Sequence, residues 1–122
     1  MIARYASAVV TLGGILALLS GLTHWLGIAP GFLSMHMLLG YLTVAGLWTI
    51  GIAQAFSAGG SSPVAALAIV VGAFTIYLGM NQTVLLPGEN HWLIQLGHMV
   101  LGILTIGVGH MAAARQRHGA AV

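Results

Sequence analysis

Two histidines 62 residues apart open nearly the same phrase, HMLLGYLTV from His36 and HMVLGILTI from His98. Six of the nine positions are identical: His, Met, Leu, Gly, Leu and Thr. Imidazole binds metal ions through a ring nitrogen, so a repeated histidine raises the question of what else lies on its face. Positions 0, 4 and 7 of a helix point the same way. His36, Gly40 and Thr43 therefore form one stripe, and His98, Gly102 and Thr105 form another. A ring nitrogen with a glycine one turn deeper suits a flat ligand, because glycine removes the side chain that would collide with a disc lying against the helix. Small residues spaced along such helices also serve close packing, which is the reading for Gly14, Gly21, Gly72 and Gly79.

The elements that must position these residues are membrane helices. Of the 122 residues, 59% are hydrophobic and 3% charged, whereas soluble domains carry charge on roughly a quarter of their residues. No Asp, Glu, Lys or Arg lies between Arg4 and Glu89, nor between Glu89 and Arg115. Such runs exceed the ~20 apolar residues that cross a bilayer. They are punctuated by GIAPG at 27–31, SAGGSSP at 57–63 and LPGEN at 86–90, combinations that end helices and begin new ones. The spacing predicts one integral membrane domain over 1–122: an all-α bundle of four transmembrane helices at about 5–26, 32–56, 63–86 and 90–114, with a tail at 115–122. Continuous apolarity, without alternation, excludes a transmembrane β-barrel. Arg4, Arg115 and Arg117 predict both termini on the cytoplasmic side of a bacterial or archaeal inner membrane. The first helix is too long an apolar run for a cleaved signal peptide.

The 62-residue offset maps the second helix onto the fourth, which reads as a duplicated helical hairpin with its copies related by an axis along the membrane normal. That axis sets His36 and His98 at one depth, in the outer half. An ionisable side chain inside a membrane helix is a functional-site hypothesis by default. Twelve residues below the repeated histidines stand Trp48 in one copy and His110 in the other, so an inner pair is broken. Either the chain then holds one such cofactor, or His110 pairs with a residue of another subunit, or it is a polar contact near the inner rim beside Arg115.

His24 and His91, each followed by tryptophan, form a second pair nearer the outer surface. They fit a second haem, a copper or zinc ion held with Glu89, hydrogen bonds to haem propionates or a quinone, or plain interfacial residence beside the belt aromatics Trp25 and Trp92. Thioethers beside imidazoles, Met35 and Met37 around His36, Met99 and Met111, keep Cu(I) in view. Adjacent residues on a helix diverge by about 100°, however, which directs Met37 and Met99 toward packing or lipid. Thr75, Tyr77, Asn81, Gln82, Thr83 and Gln95 are candidates for a quinone pocket, for orienting an imidazole, or for tying helices together. His118 lies in the charged tail.

Two facing imidazoles within a four-helix bundle are the axial arrangement of a bis-histidine haem. On His36 and His98 with Gly40 and Gly102, the chain resembles the small four-helix integral-membrane b-type cytochromes, the cytochrome b561-like group and the cytochrome b subunits of membrane dehydrogenases. The resemblance implies noncovalent haem b, one per chain with two possible, and single-electron exchange with a quinone or a redox partner. It also implies a carrier or redox subunit rather than a self-sufficient enzyme, working as a homo-oligomer or within a larger membrane complex. A copper-binding or transport protein using the outer histidines is a second class, and a structural or pigment-binding subunit a third. The chain has no cysteine, which excludes thiolate sites and covalent c-type haem. The net charge of +2 comes from the terminal arginines and gives no ground for nucleic-acid binding.

Overall fold

The computed structural model describes residues 2–57, 60 and 62–119. Positions 58, 59 and 61 of the middle connection and 120–122 of the tail lie outside the described residues. Four helices, α1 (Ile2–Trp25), α2 (Leu33–Ala55), α3 (Ser62–Asn81) and α4 (His91–Gly119), run alternately up and down, and a single turn at Pro30–Phe32 leads into α2. No strand occurs among the described residues, and all four helices are long and apolar enough to cross a membrane. One end of the bundle carries the termini and the middle connection. The other, here the loop end, carries connections 26–32 and 82–90.

Local chemistry sets the helix ends. α1 stops on Gly27, whose φ of 71° is open to glycine at no steric cost. The Gly27 amide donates to the His24 carbonyl at 3.0 Å and the Ile28 amide to that of Thr23 at 2.9 Å, the paired bonds of a Schellman cap. α3 ends at Asn81, five residues before the position 86 expected from the apolar pattern. Asn81 Nδ2 donates back to the Tyr77 carbonyl at 2.8 Å, and the Val84 and Leu85 amides fold onto the Asn81 carbonyl. This local bonding competes with helix continuation ahead of Pro87. α4 runs past 114 to Gly119 and absorbs most of the expected tail. Arg115, Gln116 and Arg117 are good helix formers, and the basic last turn complements the helix dipole.

Each helix packs on its sequence neighbours and α1 closes on α4; across the diagonals, α2 touches α4 whereas α1 and α3 make no direct contact among the described residues. The two histidine helices are thus the pair that meets across the bundle. The dense core lies toward the termini end, where Val10, Leu47, Ile50, Ala68, Ala112 and Ala113 are almost wholly buried. Small residues allow this approach: Val10 of α1 sits between Gly46 of α2 and Gly109 of α4, and Gly51 of α2 lies against Ala68 of α3. Outward-facing positions are apolar as well, for example Leu12, Leu19, Leu42, Ile69 and Ile103, as expected where the solvent is hydrocarbon.

A Cβ added at Gly51 would stand 2.6 Å from the Ala68 Cβ, while one at Gly107 would meet nothing within 4 Å. Gly51→Ala is expected to destabilise the bundle by about 1–3 kcal/mol, the usual cost of overpacking, and Gly107→Ala to leave its thermal midpoint unchanged. Thermal unfolding of both variants in one detergent checks the contrast.

Candidate functional site

Above the dense core the helices part around a cavity of about 350 Å³. That lies within the range of roughly 300–1,000 Å³ typical of small-molecule and cofactor pockets. All six residues of the two stripes, His36, Gly40, Thr43, His98, Gly102 and Thr105, line it. The two imidazoles face one another with ring centroids 5.9 Å apart and planes at 74°. An ion bound at about 2.0–2.1 Å by a nitrogen from each of two opposed imidazoles would set their centroids roughly 6 Å apart. The rings meet in a T-shaped, edge-on arrangement.

What holds each ring is a glycine on the preceding helix. A Cβ at Gly21 of α1 would stand 2.8 Å from His36 Cε1, and one at Gly79 of α3 would stand 2.9 Å from His98 Cε1. One turn before Gly21, the Ala17 carbonyl accepts a hydrogen bond from His36 Nδ1–H at 2.8 Å, with Ser20 Oγ beside it at 3.5 Å. A carbonyl only accepts, so the proton is on Nδ1 and the Nε2 lone pair is free. His98 Nδ1 is buried without a hydrogen-bond partner. In both rings Nε2 is the nitrogen left open.

Gly21 and Gly79 therefore do more than the helix packing expected of them: they seat the two imidazoles. Gly14 and Gly72 do pack helices, the first against Ile106 of α4 and the second against Val44 and Trp48 of α2. The signal for this role is present in the chain, since Gly14 and Gly21 recur as Gly72 and Gly79, 58 residues on. The offset is four residues shorter than that between the histidines, about one helical turn, which hides it from a single alignment.

Gly40 borders the cavity, and a Cβ there would meet nothing within 4 Å. A Cβ at Gly102 would stand 3.2 Å from Leu18 Cδ2, the flexible end of that side chain. The hydroxyls of Thr43, Thr75 and Thr105 donate to their own helix backbones, at Leu39, Val71 and Leu101, and Thr75 also meets Thr105 at 3.2 Å. They close the deeper end without offering spare donors.

The expected pair of His24 and His91 is split. His24 lines the cavity, with Nδ1 buried and unpartnered. His91 does not line it; its Nδ1 lies 3.3 Å from the Leu85 carbonyl and ties the 82–90 connection to the start of α4. Among the described residues no three His, Cys, Asp or Glu side chains converge, so Glu89 does not join the two histidines in a cluster. Gln82, Thr83 and Gln95 border the cavity with His24, and so do Met37 and Met99. His110 is exposed on α4, with Nε2 3.0 Å from Thr11 Oγ1 on α1. Because that hydroxyl donates to the Ser7 carbonyl, the imidazole donates to Thr11. Trp48, at the equivalent place in the first half, packs on Gly72 with its indole N–H unpartnered.

No protein family, curated protein or solved structure matches the chain.

The bond to Ala17 makes a direct prediction. In histidine-labelled protein without added metal or porphyrin, ¹⁵N resonances of His36 are expected to show a protonated Nδ1 and an unprotonated Nε2. The opposite tautomer would contradict the hydrogen bond assigned here.

Proposed function

We propose that the chain is a membrane b-type cytochrome that holds one haem b between His36 and His98. The observation that carries this reading is the pair of imidazoles 5.9 Å apart on diagonal helices, each seated on a glycine and each with Nε2 open. Gly40 adds an open wall on which a flat macrocycle can lie. Haem supplies reversible one-electron chemistry at its iron, and the axial ligands and their hydrogen bonds tune its potential. His36 contributes a fixed tautomer: its Nδ1–H bond to Ala17 orients the ring and raises the basicity of Nε2. His98 contributes the opposite nitrogen from α4. Gly21 and Gly79 keep both rings close to the helices and aimed across the bundle. The apolar remainder of the wall excludes water.

With Arg4, Arg115 and Arg117 on the cytoplasmic side by the positive-inside rule, this site lies in the outer half of the bilayer. Electrons would then be exchanged at the loop end with a quinone or a docked redox protein. A Cu(I) site is the second reading, favoured by Met37 and Met99 beside the two histidines. It makes no use of the open wall at Gly40.

Purified protein reduced with dithionite is expected to show sharp α and β bands and close to one haem per chain. His36→Ala and His98→Ala should each abolish the low-spin spectrum, and His110→Ala should leave it intact. A colourless preparation carrying stoichiometric copper would replace the haem reading with the second one.

A further inference from the structure

Resting on the haem reading, we infer that His24 and Gln82 form a two-sided cradle for the porphyrin's carboxylates, so that the ring enters with its propionates toward the loop end. The two residues are related in the same way as the ring-seating glycines. His24 stands three residues after Gly21, and Gln82 stands three residues after Gly79. Both line the cavity, His24 on α1 and Gln82 just past the end of α3, each three residues nearer the loop end than the glycine that holds His36 or His98. The offset of 58 that relates the two glycines thus also relates these two polar side chains, while the ligands they accompany are 62 apart.

Haem b has an approximate two-fold axis of its own, in the macrocycle plane and passing between its two propionates. When that axis coincides with the one that exchanges His36 and His98, both propionates leave the ring at the same end, one toward each half of the bundle. Two carboxylates then meet two receivers. The opposite insertion would drive them against Val44 and the threonines Thr43, Thr75 and Thr105, whose hydroxyls are committed to helix carbonyls. A carboxylate left without donors in hydrocarbon is strongly disfavoured.

The chemistry of His24 agrees with this assignment. Its Nδ1 is buried without a partner, which leaves Nε2 as the nitrogen open to a ligand. A carboxylate only accepts, so against one Nε2 is the nitrogen that carries the proton. His24 thus presents a donor to the cavity, and the Gln82 amide presents another. No Lys or Arg lines the cavity, so a carboxylate finds its donors there among these two groups and Thr83, Gln95, Trp25 and Tyr41.

The test is titration of the haem-free protein in detergent with iron protoporphyrin IX and with its dimethyl ester, which keeps the ring and iron but removes both charges. Hydrogen bonds to charged groups are the strong ones, so the wild type should bind the free acid at least about tenfold tighter than the ester. His24→Leu and Gln82→Leu should each reduce that ratio, the double variant should bring it near one, and His24→Gln should retain more of it than His24→Leu. The ester affinity of each variant reports its own folding, so loss of structure does not imitate loss of the cradle. Equal binding of both porphyrins by the wild type, or full discrimination retained in the double variant, overturns the cradle while leaving the axial ligands intact. If neither porphyrin yields bands that depend on His36, the haem reading falls and the cradle with it.

Discussion

An imidazole inside hydrocarbon has no water to complete its hydrogen bonds, and the bond from His36 Nδ1–H to the Ala17 carbonyl is how this bundle meets that constraint. The bond requires the ring of α2 to lie against the backbone of α1. It does so because Gly21 has no side chain to hold it off. From that contact follow the tautomer of His36, the direction of its open nitrogen and the axial register of the two helices. Gly79 seats the ring of His98 in the same way, although its Nδ1 has no such partner. Two helical hairpins, each binding its own histidine to its own glycine, then face one another across the diagonal.

The bundle divides its labour along the membrane normal. Near the termini, Val10 wedges between Gly46 and Gly109, and Leu47, Ile50 and Ala112 fill the remaining space. Dispersion contacts at close range hold membrane helices together where the hydrophobic effect gives no preference between lipid and protein. That rigid half lets the other half stay open around 350 Å³ without collapse. A site on packed helices keeps its ligands in place more closely than one on loops, and both histidines lie well inside their helices.

Symmetry fails in two places, each with a physical consequence. Twelve residues below the ligand level, Trp48 fills space against Gly72, whereas His110 reaches α1 and donates to Thr11. The lower half therefore has a packing contact on one side and an interhelical bond on the other, with no facing pair. At the upper rim His91 leaves the relation with His24 to brace the 82–90 connection, and Gln82 borders the cavity with His24. On the proposed reading the polar rim serves the carboxylate edge of the cofactor, while the deeper wall stays apolar or self-satisfied.

Much was legible in the chain alone. Long uncharged runs broken by Gly, Pro and Asn established four membrane helices, since the bilayer sets both their length and their composition. The repeated phrase put His36, Gly40 and Thr43, and likewise His98, Gly102 and Thr105, on single faces, and all six line one cavity. Helix ends were less legible where polar side chains act on the backbone: Asn81 ends α3 early, and Arg115 to Arg117 carry α4 onward. Only the tertiary structure decided that Gly21 and Gly79 seat the imidazoles rather than merely pack helices, and that His24 borders the cavity while His91, at the start of α4, turns to the 82–90 connection. The reason is that a periodic pattern states which residues share a face of their own helix. Which neighbour that face meets, and at what height, depends on the relative shift of two helices, here one turn different between the offset of 58 and that of 62.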